Sequence, residues 1–230
     1  MRKIFTLDGV SSADFNTYIA SSNMFNAPER DTETVDIPGR NGALVYDNGR
    51  FRNFEGAISC YVPTGMQLNL HGLRNWLLST SAYRRYEDDL HPDEFRLARY
   101  AGGFAVDTSD RVAAAFTLSF DCKPQRFLKS GEAVRTCASG SVIYNPTRFD
   151  ALPLIICSGN GSIVINGTEM VIEGNEGQIY IDCDLQDAYL GSENKNSLIT
   201  NDFPKLVPGE NVIEYTGLDS VQIMPRWWTV

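Results

Sequence analysis

Histidine is the scarcest reactive residue in this chain: two in 230 residues, His71 and His91. Neither lies beside Gly-x-Ser-x-Gly or another nucleophile setting, so general-base and triad chemistry have little to work with. Paired carboxylates of the glycosidase kind are not excluded by sequence, but nothing among the 29 acidic residues marks out a pair. An enzyme is not expected. The five cysteines (Cys60, Cys122, Cys137, Cys157, Cys183) form no CxxC and have no histidine nearby. That pattern reads as reduced core thiols and leaves out a disulfide frame or zinc site, so no metal or cofactor is expected. Basic residues are also short, 20 Lys and Arg against 29 Asp and Glu, for a formal charge of −9. A general grip on nucleic acid needs clustered cations, and Arg2-Lys3 and Arg84-Arg85 are the only adjacent pairs. No apolar run reaches the length of a membrane span. After Met1-Arg2-Lys3 the run Ile4-Phe5-Thr6-Leu7-Asp8 breaks too early for a signal peptide, which fits a chain made and folded in a cytoplasm.

What is present is strand and turn chemistry. Asp36-Ile37-Pro38-Gly39-Arg40-Asn41-Gly42 sits between apolar residues at period-two spacing, Val35 and Ile37 before it, Leu44 and Tyr46 after it. Pro38 pushes Ile37 toward extended backbone, and Asn41-Gly42 is a preferred pair for a tight hairpin turn. A strand, a turn and a second strand are expected, with Arg40 exposed at the tip and Asp36 placed to brace it.

Farther along, Phe54 to Val62 reads as a strand ending at Pro63. One helix is expected over 66 to 80, where Leu70, Leu73, Trp76 and Leu77 form an apolar stripe for packing on a sheet. Tyr83 to Tyr86 and Phe95 to Tyr100 alternate like strands around the acidic stretch Glu87 to Glu94. That stretch lacks the glycine and ligand spacing of a calcium loop and reads as a solvated connection, its two strands projecting as an arm. Strand material is expected after Gly102-Gly103 and over Val112 to Phe120. The polar, breaker-rich segment 123 to 147 suggests a domain boundary near 140, giving domains 1–140 and 141–230.

The last ninety or so residues read as strands throughout. Ser162 to Ile165, Asn166-Gly167 and Thr168 to Ile172 form a hairpin signal. Gln178 to Asp184, Val212 to Tyr215 and Val221 to Met224 add strands, with a turn at 208 to 211, and no helical period intervenes. The pattern is that of a β-sandwich. Gly159-Asn160-Gly161-Ser162 is followed by a strand, so it reads as a turn and not as a phosphate loop. Exposed aromatics on such a sandwich can stack on a sugar, and Tyr180, Tyr189, Trp227 and Trp228 are candidates for glycan contact. Adjacent Trp227 and Trp228 on a strand must face opposite ways, which sends one of them to the core.

Three stretches in order carry a family resemblance: residues 36 to 42 followed by Leu44, Tyr46 and Phe51; Phe120-Asp121-Cys122-Lys123-Pro124; and Asn166-Gly167, Leu206 to Ile213 and Pro225-Arg226-Trp227-Trp228 in the last domain. Together they resemble the siphophage distal tail protein family. The resemblance implies a mainly β fold of two sandwich domains, the first with the packed helix and the arm, the second like a galectin or carbohydrate module. It implies a structural virion protein, six copies forming a ring that joins the tail tube protein to tail-tip and receptor-binding proteins, assembled in the bacterial host and residing at the phage tail tip. Asp36, Pro38, Gly39, Arg40, Asn41 and Gly42 would then lie at a subunit interface. No specific nucleic-acid or membrane binding is expected. The alternative is a glycan-binding adhesin of the tail tip, although the arginine and histidine pattern of a true galectin is not visible.

Overall fold

The computed structural model describes residues 2–103, 105–106 and 112–230. The strand material expected directly after Gly103 falls partly outside them. The chain is mainly β and divides into two compact units, one reaching Arg126 and the other spanning Phe127–Thr229.

The first unit holds β1 (Phe5–Leu7), β2 (Val10–Ser11), β3 (Tyr18–Ser22), β4 (Arg30–Val35), β5 (Leu44–Phe51), β6 (Phe54–Val62), α1 (Met66–Leu78), β7 (Arg84–Asp88), β8 (Glu94–Tyr100) and most of β9 (Ala114–Leu128). Strands run in the order β2-β1-β7-β8-β9-β6-β3 in one sheet, while β4 and β5, among the described residues, pair only with each other. Alternation explains the sheet. Ile58, Cys60 and Val62 of β6, with Phe116, Leu118 and Phe120 of β9, point to one buried face. Onto that face α1 lays Leu70, Leu73 and Leu77, the stripe its spacing predicts, and Trp76 stacks on Phe5 and Phe15. The helix ends where Arg84 donates to the carbonyls of Trp76 and Leu77 (both 3.1 Å), placing a cation at the negative end of the helix dipole.

This use of Arg84 corrects one sequence expectation. β7 and β8 are inner strands of the sheet and do not project. Their inward residues Arg84, Tyr86, Asp88 and Arg96 are buried because each is hydrogen-bonded or ring-stacked, which charge-based reading takes for exposure. Asp88 in the acidic connection is not solvated either. It accepts from the Tyr86 hydroxyl, the backbone N–H groups of Leu90 and His91, and His91 Nδ1, so it ties the turn.

The second unit holds β10 (Arg135–Cys137), β11 (Ser141–Asn145), β12 (Leu154–Ile165), β13 (Thr168–Ile172), β14 (Gln178–Asp182), β15 (Asp187–Leu190), β16 (Glu193–Asn194), β17 (Ile199–Asn201), β18 (Gly209–Met224) and β19 (Trp228–Thr229). The unit starts earlier than the boundary expected near 140. The polar segment after Lys123 is not a linker: it completes β9 and supplies β10 and β11, both paired to β18. The two strands expected at 212–215 and 221–224 are one long strand, β18, antiparallel to β12.

Both long strands change partners midway. Leu154–Ser158 pairs with β14 and with the end of β18; Gly161–Ile165 pairs with β13, and Ser162–Ile165 pairs with the first half of β18. The register slips at Gly159 and Ser162, so the expected turn at 159–162 is a bulge inside a continuous strand. Glycine is required there, because a Cβ on Gly161 would sit 1.9 Å from the Thr216 carbonyl oxygen. The two halves thus build two layers around Ile155, Ile163, Ile165, Ile181, Ile213 and Trp227. The Asn166-Gly167 hairpin forms as expected, with φ of 52° and 83°.

Candidate assembly interface

The β4–β5 hairpin is the part of the molecule with no core of its own. Every residue from 33 to 50 is exposed. Cross-strand register sets Val35 opposite Leu44 and Glu33 opposite Tyr46, so Val35, Leu44 and Tyr46 share one face; Val45 opposite Thr34 lies on the other. Val45 and Tyr46 are 61% and 63% exposed. A two-stranded ribbon alone is marginal in water, and apolar side chains on it gain only when something covers them.

The root of the ribbon is held by charge. Asp31, buried at the base, accepts from Arg50 Nε at 2.7 Å and from Arg52 Nε at 2.9 Å. Those guanidiniums hold its carboxyl below the usual carboxylate range. Arg30 Nε meets Asp47 Oδ2 at 2.6 Å and its guanidinium covers the Phe51 ring. Asp47 also accepts from the Gly49 N–H at 2.8 Å, at the bulge that shifts register between Arg30 and Thr32. This N–H and Arg30 together lower the Asp47 pKa. The ribbon is therefore stiff at its root and apolar toward its end.

The sequence-predicted interface residues all fall in the loop between the two strands. Asp36, Pro38, Gly39, Arg40, Asn41 and Gly42 are exposed, and Gly39 and Gly42 take φ of 82° and 79°. The connection is longer than the two-residue turn expected at Asn41-Gly42, running from 36 to 43, with Arg40 N–H donating to the Ile37 carbonyl. Asp36 does not brace Arg40: among the described residues neither side chain has a hydrogen bond or ion pair. The expected arm exists, but it is this hairpin. Sequence reasoning passed over Val45, Asp31, Arg50 and Arg52. The consecutive apolar triplet Leu44-Val45-Tyr46 was the available signal, since a strand with one buried face would alternate.

The glycan candidates separate. Trp227 is buried in the second core, and Trp228 stacks on Phe149 at 4.4 Å with its Nε1 donating to the Asp150 carbonyl. Tyr180 and Tyr189 are cross-strand partners whose half-buried rings stack at 5.8 Å and 9° on the outer face of β14 and β15. Of the histidines, His91 stacks on Phe25 and pairs with Asp88, while His71 lines a shallow depression on α1 with Met66, Gln67, Leu70 and Arg74. Among the described residues no helix is long and apolar enough to cross a membrane.

No protein-family model matches this sequence, and no curated protein matches it either. Among solved structures the chain is similar to the Dit protein (gp 19.1) of phage SPP1, described as a paradigm of the hub adsorption apparatus in phages infecting Gram-positive bacteria. The TM-score is 0.78 at 14% identity, with 100% of each chain covered. Over its whole length, therefore, this chain has the fold of that phage hub protein.

Proposed function

We propose that this chain is a distal tail protein: a structural component of a siphophage or prophage tail that forms a ring, of six copies, between the tail tube and the tail-tip proteins. The observation that carries this reading is the full-length fold likeness, which takes in both units at once. The β4–β5 ribbon supplies the means. Its exposed Val35, Leu44, Val45 and Tyr46 match a clasp on a neighbouring copy, and covering such side chains contributes about 1–3 kcal/mol each. The loop 36–42 at its end would then sit against the neighbour, with Arg40 free to meet an acidic group there. An acidic chain also suits a lumen through which DNA slides without sticking.

Light scattering and native mass spectrometry of the purified chain test this. The expected result is a hexamer, or concentration-dependent growth toward one, that is lost when Val45→Asp and Tyr46→Asp are combined with the thermal melt unchanged. A strict monomer at high concentration overturns the ring.

A glycan-binding module of the tail tip is the second reading, and the stacked Tyr180–Tyr189 pair is what favours it. A glycan array separates the two. The hub predicts a blank array; saccharide binding abolished by Tyr180→Ala would favour the adhesin.

A further inference from the structure

Strand β11 is an open edge. It pairs with β18 on one side and, among the described residues, with nothing on the other. Ile143 turns its carbonyl toward β18, where Asn211 Nδ2 donates to it at 3.2 Å. Alternation along an edge strand therefore aims the N–H and C=O groups of Val142 and Tyr144 outward. Natural edges are protected by lysine, proline or a bulge within the strand, and Ser141-Val142-Ile143-Tyr144-Asn145 contains none of these. Instead, Val142 and Tyr144 are 54% and 63% exposed.

The surface beside this edge is one-signed. Val142 faces Val212 and Tyr144 faces Glu210 across the ladder. In the next rows Glu214 and Glu169 flank Val164 on the same face. The Glu169, Glu210 and Glu214 carboxylates are exposed, and none has an ion pair or hydrogen bond among the described residues. A second copy of this chain, itself at −9, is a poor occupant for an acidic face.

We infer that β11 receives an extended segment of a partner protein by strand addition, with alternate Lys or Arg side chains of that segment lying over Tyr144 and reaching Glu210 and Glu214. Main-chain bonds to Val142 and Tyr144 would supply affinity, and the carboxylate rim would set the charge preference. This inference does not depend on the ring assignment.

The test uses the full chain with two labelled synthetic peptides, one alternating Lys and Val, the other alternating Glu and Val. Anisotropy should show binding of the Lys peptide alone, and amide exchange should slow at Val142 and Tyr144 when it binds. Val142→Pro removes an outward N–H that the β11–β18 ladder does not use, so it should abolish binding. Glu210→Lys combined with Glu214→Lys should weaken the Lys peptide at least tenfold and keeps the test decisive should the proline variant melt early. Equal binding of both peptides, no binding by either, or binding that leaves the Val142 and Tyr144 amides unprotected would overturn the inference.

Discussion

Arg226 grips Asp182 with two parallel hydrogen bonds, Nη1 to Oδ1 at 2.7 Å and Nη2 to Oδ2 at 2.8 Å. Asp182 spends its remaining capacity on the N–H groups of Asp184 and Leu185, so one carboxylate fixes both the β14–β15 turn and the approach to the last strand. Arg226 holds this position with a left-handed backbone, φ 59°. Replacing it should cost about 2–3 kcal/mol through loss of the charge-assisted pair. Arg226→Gly should be less damaging than Arg226→Ala by up to about 1 kcal/mol, because only glycine takes positive φ freely. Denaturant melts of the two variants check the order; equal losses would mean the backbone at 226 carries no strain.

The same pair sets a pH dependence. Burial raises the Asp182 carboxyl, but the Arg226 bonds and the two N–H donors outweigh it and hold the group below its ordinary value. The unfolded chain therefore binds this proton more readily than the folded one. Stability from this site is complete above the ordinary carboxylate range, about pH 4, and is lost as pH falls through the lower folded value. Melts at a series of pH values should show a shallower acid decline for Arg226→Ala than for the parent.

At the bend of the second unit, Gly161→Ala should be severe, at about 3 kcal/mol or more, since its Cβ would lie inside the Thr216 carbonyl. Gly177→Ala, with nothing within 4 Å of the added carbon, should stay within about 0.5 kcal/mol. Matching losses at the two positions would remove the case for a steric bend.

All five thiols are buried and unpaired. Burial pushes Cys60, Cys122, Cys157 and Cys183 up to about 12 and raises Cys137. The native chain at pH 8 should therefore resist a thiol-alkylating reagent, and all five should react once it is unfolded. Fast labelling of any one of them under native conditions would contradict the packing described.

Local chemistry revealed most of the elements and fewer of their partners. The 54–62 strand, the helix stripe at Leu70, Leu73 and Leu77 and the Asn166-Gly167 hairpin each depend on near neighbours, and each formed as its spacing predicts. The arm falls on other strands than the sequence predicts, because its placement depends on burial. Arg84, Asp88 and Arg96 carry charge yet lie inside, where Arg84 and Arg96 donate to carbonyls that only the fold brings to them and Asp88 is bonded within its own turn. Leu44-Val45-Tyr46 is apolar yet lies outside. Proximity of the kind joining Asp31 to Arg50 and Arg52 belongs to the cross-strand register, which a bulge had already shifted. Likewise Gly159 and Gly161 look like turn residues, and only the register of β12 against β18 makes them a bend.

That bend has a consequence for how the second unit opens. Because β12 and β18 are each covalently continuous from one layer into the other, there is no seam along which the sandwich can be parted. Fraying that begins at one end meets the same two backbones at the other. Partial melting that stops halfway is thus denied to it, and the unit should come apart whole or not at all.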